Sequence, residues 1–232
     1  VSSAVEGDEI AKRLSDVRAR IARAAARAGR DPASITLLAV SKTKPASAVA
    51  AAWSAGQRAF GENYAQELVE KVDALALDGI EWHFVGRLQT NKAKFVAPRV
   101  AMVHAVDGAR LATELARRAE TRPAPLEVLV EVNVGGESSK GGVAPADLGP
   151  LLALVEQQAS LRLRGLMAIP PPVESAEQSR PFHRALRMLR DDHGGPSRLP
   201  VLSMGMTDDL EVAIEEGATI VRVGTAIFGA RS

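Results

Sequence analysis

The 232-residue chain contains no cysteine, which excludes disulfide frameworks, thiolate metal sites and cysteine nucleophiles. No sign of charge dominates. The 29 Lys and Arg face 28 Asp and Glu, for a net charge of +1, so coating of nucleic acid is not expected. No run reaches the ~18–20 apolar residues needed to cross a bilayer. The opening VSSAVEGDEI has neither the basic n-region nor the apolar h-region of a secretory signal. A soluble cytoplasmic protein with no membrane partner is therefore expected. What is present is ordinary for a globular chain: 46% hydrophobic and 25% charged residues, apolar enough to offset the entropy of ordering. At this length about 70% of the surface can be buried without staples, and barrels of ~200–250 residues form one domain. A single domain spanning residues 1–232 is the reading.

The first periodic segment is a helix. Ile10, Leu14, Val17, Ile21 and Ala25 fall on one face of a 3.6-residue period. Gly29 is placed to end it, and Asp31-Pro32 starts a turn. Short Val-, Ile- and Leu-rich runs then alternate with helical stretches. The runs are Ile35–Val40, Arg58–Glu62, Trp82–Gly86, Ala101–Val106, Leu126–Val134, Leu163–Ile169, Val201–Met206 and Thr219–Gly224. The helical patterns fall at Ala46–Ala55, Tyr64–Leu75, Lys92–Val96, Ala109–Glu120, Pro145–Ser160, Ser175–Asp192 and Asp208–Glu216. Such alternation implies parallel strands joined by right-handed crossovers. Eight of them predict an α/β protein folded as a (β/α)8 TIM barrel, with an open doubly wound sheet as the alternative. No GxGxxG follows the first strand, as a dinucleotide-binding sheet would require. Only eight residues follow Gly224, so the extra N-terminal helix is expected to cover the flank of the last strand.

In such barrels chemistry sits at the C-terminal ends of the strands. The first strand ends in AVSKTKP. Lys42 there reads either as a solvated loop lysine or as a partly desolvated amine beside a second cation, Lys44, and so a nucleophile. The second ends in FGENYAQE, where Asn63 either caps the next helix or hydrogen-bonds a ligand over the mouth. The lone strand histidines, His83 and His104, read as packed core residues, and His183 and His193 as surface ones. Glu131 and Asn133 share a face by the two-residue period, and GGESSKGG, carrying Lys140, is a polar loop. The last two strands run into SMGMTDDLEVAI and VRVGTAIFG. Turn amides with hydroxyls make a phosphate cradle, with Ser203, Gly205, Gly224 and Thr225 as candidates. Arg222, inside an apolar strand, stays charged and needs an acceptor. A lysine from the first strand and a phosphate cradle from the last two suit pyridoxal 5′-phosphate (PLP). A cofactor-free aldolase using Lys42 is one alternative reading.

The segments AVSKTKP, FGENYAQE, WHFVGRLQTNK, LRGLMAIP, LSMGMTDDLEVAI and VRVGTAIFG resemble the YggS/PROSC family of pyridoxal phosphate homeostasis proteins, from about Ile10 to Arg231. The resemblance implies a fold type III barrel like the N-terminal domain of alanine racemase. It implies a Schiff base on Lys42, Asn63 beside the cofactor, Ser203, Gly224 and Thr225 on its phosphate, and Arg222 facing the pyridine nitrogen. Lys44 and Lys140 match secondary lysines linked to moving the cofactor. Arg87 departs from the proline or hydrophobic residue frequent at its position. A permanent cation at the ring nitrogen makes the cofactor a weak electron sink, and Tyr64 is the only tyrosine. The expectation is a monomeric carrier of PLP with little or no catalysis, with PLP-dependent apo-enzymes as recipients. A racemase-like enzyme is the alternative.

Overall fold

A computed structural model describes residues 2–137 and 141–230, with residues 2–6 described as backbone only. It begins with the long helix α1 (Ser2–Arg27). Ile10, Leu14, Val17, Ile21 and Ala25 are all buried, as their common face requires. Gly29 turns left-handed at φ +65°, and the Arg30 N–H reaches back to the Ala25 carbonyl, the bond that closes a helix C-terminus around a glycine. The Asp31 carboxylate then accepts from the Ala33 N–H and starts a short 3-10 turn at Pro32–Ser34.

From there the chain winds a barrel. Its strands are β1 (Thr36–Val40), β2 (Ala59–Glu62), β3 (Glu81–Phe84), β4 (Met102–Val106), β5 (Leu126–Glu131), β6 (Leu161–Met167), β7 (Val201–Ser203) and β8 (Ile220–Val223). Each pairs in parallel with the next, and β8 returns to β1 through Ala39 against Val223, which closes the barrel. The helices between them are α2 (Ala46–Ser54), α3 (Ala65–Ala74), α4 (Ala93–Val96), α5 (Ala109–Ala119), α6 (Leu148–Glu156), α7 (Arg180–Asp192), α8 (Gly195–Arg198), α9 (Leu210–Glu215) and α10 (Thr225–Phe228).

The two-residue period divides the core into two layers. Leu38, Val40, Ala59, Met102, Leu129, Met167, Val201 and Ile220 fill the interior. Their neighbours Leu37, Ala39, Phe60, Trp82, Phe84, Val128, Val130, Leu166, Leu202, Val221 and Val223 pack outward on the helices. Among the described residues β8 is followed by the single turn of α10, and α1 packs against α2, α9 and α10 to cover this flank, as expected. Among the described residues no helix is long and apolar enough to cross a membrane.

Candidate functional site

Lys42 and the loop that carries Thr225 emerge from neighbouring strands at the same end of the barrel. Gly224 lies so close to β1 that a Cβ there would stand 3.1 Å from the Val40 carbonyl oxygen. Lys42, two residues beyond Val40, is half-buried. It begins a tight turn in which Thr43 takes φ +63°, a conformation that a β-branched residue adopts only when its surroundings enforce it. One enforcing contact is the Thr43 N–H, which donates to Glu67 Oε2 at 2.8 Å. Beneath the turn lies a buried polar cluster. Lys71 Nζ donates to the Ser41 carbonyl at 2.7 Å and to Glu62 Oε1 at 2.6 Å, and the Ser41 hydroxyl donates to the same Glu62 oxygen. Burial pushes the Glu62 carboxyl up, against the pull of Lys71 and Ser41. Lys44 Nζ donates to the Ala230 carbonyl at 2.6 Å.

The loops after β7 and β8 meet through hydroxyls. Thr225 Oγ1 donates to Thr207 Oγ1 at 3.0 Å, and the Ala226 N–H reaches the same Thr207 oxygen at 3.4 Å. Gly205 stands behind this contact at φ +89°, where a Cβ would meet the Ala213 Cβ at 2.5 Å. Only glycine allows that turn, and the Gly205 carbonyl accepts from the Arg222 N–H. Asp209 ties the loop down. Its Oδ1 accepts from the Met206 N–H, and its Oδ2 lies 2.9 Å from His183 Nε2. Against the cost of burial, these hydrogen bonds hold the Asp209 carboxyl below its ordinary range. His183 is thus buried rather than a surface residue, because this face of α7 packs on the loop.

Ser203 pairs with Arg222 and His104 rather than with Thr207 and Thr225. Its side chain points into the barrel, fully buried, because Val201 and Ser203 share the inward face of β7. There its hydroxyl lies 2.8 Å from Arg222 Nη1 and 2.9 Å from His104 Nδ1. Arg222 Nη1 also donates to the Ser203 carbonyl at 2.6 Å, and Nη2 to the Ala168 carbonyl at 2.9 Å. His104 Nε2 lies 2.9 Å from His83 Nδ1, so both histidines are packed and hydrogen-bonded, as expected. Burial lowers the Arg222 guanidinium to about 10, with the Glu131 and Asp209 charges opposing. It remains a cation at neutral pH.

The mouth holds a cavity of about 290 Å³ lined by Asn63, Gly86, Arg87, Glu131, Asn133 and Ile169, among others. Burial, reinforced by the Asp107 charge, pushes Glu131 up to about 7, against Arg222 and Arg87. Asn63 is half-buried, and its Oδ1 has no hydrogen-bond partner among the described residues. A glycine at position 86 permits this approach, since a Cβ there would fall 2.3 Å from the Asn63 carbonyl oxygen. Lys140 lies outside the described residues. Among the described residues no cluster of His, Asp or Glu is arranged to hold a metal.

Two contributors escape a reading of the sequence by strand ends. Thr207 carries a visible signal, a hydroxyl in a loop that also holds Gly205 and two aspartates. Lys71 carries one too, since it shares a helix face with Leu68, and a lysine on a buried face demands an acid.

Residues 13–232 match the alanine racemase N-terminal domain family, a class of barrel whose fold this strand order shares. The chain is 50% identical to the pyridoxal phosphate homeostasis protein of Escherichia coli K12, over 97% of both chains. It is 53% identical to that of Pseudomonas aeruginosa, over 96% of both. PipY of Synechococcus elongatus, solved with PLP bound, is 36% identical and superposes with a TM-score of 0.84, covering 95% of this chain and all of that one. The chain belongs to the pyridoxal phosphate homeostasis protein family.

Proposed function

We propose that this protein binds PLP and buffers or carries it, with Lys42 holding the cofactor's aldehyde as a Schiff base. The observation that carries this reading is that Lys42 follows β1, and the Thr207–Thr225 hydroxyl pair follows β7 and β8, at the same end of the barrel, with β8 paired to β1. Several features of the chain fit the cofactor. Thr207, Gly224 and Thr225 supply hydroxyls and a tight turn for its phosphate. Gly205 shapes that turn, and Asn63 brings to the mouth a buried oxygen with no hydrogen-bond partner among the described residues. Arg222 spends three of its five N–H groups on Ser203 and Ala168, and the rest are available to the ring nitrogen. Bound PLP supplies an aldehyde for an amine and a ring that withdraws electrons.

The residues around it favour holding over catalysis. A cation at the ring nitrogen keeps a proton off that atom, which weakens electron withdrawal. Tyr64, the only tyrosine, is exposed rather than enclosed as a proton donor. Delivery to PLP-dependent apo-enzymes completes this reading.

Borohydride reduction of the PLP-loaded protein tests it. One reduced pyridoxyl phosphate should map to Lys42 by intact mass and peptide analysis. Lys42→Ala should lose that adduct while keeping weaker, phosphate-driven binding. An adduct on another lysine overturns the assignment. Rapid exchange of an amino acid's α-proton in deuterated water favours the racemase-like alternative.

A further inference from the structure

The barrel interior below the mouth is polar where the rest is packed with aliphatic side chains. Four residues from four strands line up across it: Arg222 on β8, Ser203 on β7, His104 on β4 and His83 on β3. All four are buried. The order of donors and acceptors along this line follows from chemistry alone.

A guanidinium only donates. Arg222 Nη1 therefore gives a proton to the Ser203 hydroxyl oxygen, 2.8 Å away. That hydroxyl has one proton of its own, and its other neighbour is His104 Nδ1 at 2.9 Å. Were Nδ1 to carry a proton, the hydroxyl would receive two donors and its own proton would be left buried without an acceptor, at a cost of about 1–3 kcal/mol. So Nδ1 accepts. A neutral imidazole that accepts at Nδ1 carries its proton on Nε2, and His104 Nε2 donates to His83 Nδ1 at 2.9 Å. His83 in turn carries its proton on Nε2. Burial keeps both rings neutral. It lowers His83 to about 4 and, with the Arg222 charge, holds His104 well below the ordinary imidazole value.

We infer that Ser203, His104 and His83 form a one-way hydrogen-bond chain that anchors Arg222 from below, which makes His104 a positioning residue for the guanidinium at the mouth. The functional part of this inference rests on the proposed reading that the cofactor's ring lies over Arg222. The chain sets where the two remaining Arg222 N–H groups point. Ser203 is its pivot, since it both receives from Arg222 and gives to His104.

Nitrogen NMR of the cofactor-free protein tests the chain. Both rings in wild type should show the neutral Nε2–H pattern. The Nη protons of Arg222 should appear as separate, slowly exchanging signals. In Ser203→Ala the His104 Nδ1 resonance should move downfield as its donor is lost, and the separate Arg222 signals should merge. His104→Gln, whose side-chain oxygen can accept from Ser203, should retain them, whereas His104→Leu should lose them. An Nδ1–H tautomer or a protonated ring at either histidine in wild type overturns the chain. Arg222 signals unchanged in Ser203→Ala overturn the positioning role, even if that variant is less stable. Because these spectra need no cofactor, a wild-type protein that fails to take up PLP would count against the proposed function and leave this result standing.

Discussion

Glu131 faces the mouth with a carboxyl that burial holds protonated up to about pH 7, against an ordinary value of 4.5. The unfolded chain gives up that proton near pH 4.5, while the folded protein keeps it until about 7. The folded state therefore binds more protons in this window, and its stability falls as pH rises through it. Glu131→Gln removes the effect. Its stability relative to wild type should climb by up to about 3 kcal/mol between pH 4.5 and 8. Urea denaturation of the cofactor-free proteins at several pH values would show this, and parallel profiles would refute it. Replacing Lys71 destabilises instead. Lys71→Met leaves Glu62, fully buried, without its counter-charge, and should cost about 3–5 kcal/mol. Adding Glu62→Gln should recover part of that loss. Both side chains show what a one-dimensional reading reaches. The two-residue period gives the facing of Ser203, Glu131 and His83. It does not say that Ser203 meets His104, 99 positions away, or that Lys71 folds back onto the Ser41 carbonyl. Those partners come from barrel closure.

Strands and helices appear in the order that the alternation of apolar runs predicts, and apart from the short α8 and α10, which it does not contain, the differences lie at their ends. The run Val201–Met206 forms a strand only to Ser203, because Gly205 turns left-handed at φ +89°. Leu126–Val134 stops as a strand at Glu131, beyond which Val132 bridges to Val143 across the polar loop. The predicted helix over Ser175–Asp192 divides into a capped 3-10 turn and then α7, with a proline at its start. Pro145–Ser160 divides likewise, since proline favours the first turn and supplies no N–H to an earlier one. Gly165 in β6 has no counterpart in the pattern of apolar residues. It adopts φ +157°, and a Cβ there would fall 1.8 Å from the Val201 carbonyl oxygen. Gly165→Ala should push β6 from β7 and cost more than about 3 kcal/mol, measured as a fall in the urea midpoint. An unchanged midpoint would mean that the strand gives way more easily than this packing allows.

At the scale of the whole molecule, α1 covers the flank where α10 is too short to do so. Leu14, fully buried, belongs to the same continuous outer core as Ala48, Ala213 and Ile227 of its neighbours α2, α9 and α10. Leu14→Ala should cost about 2–5 kcal/mol, read by thermal or urea unfolding. A loss confined to fraying of α1, with the barrel's own transition unmoved, would contradict a role for the helix in holding the β1–β8 seam.

That seam joins the earliest strand of the barrel to the latest. A chain emerging from the ribosome presents Lys42 long before Thr225 exists, and for that interval the amine has no grip for a phosphate beside it. Under the proposed assignment, the nascent polypeptide is unable to retain a cofactor until its final strand has docked, so uptake reports completed folding rather than guiding it.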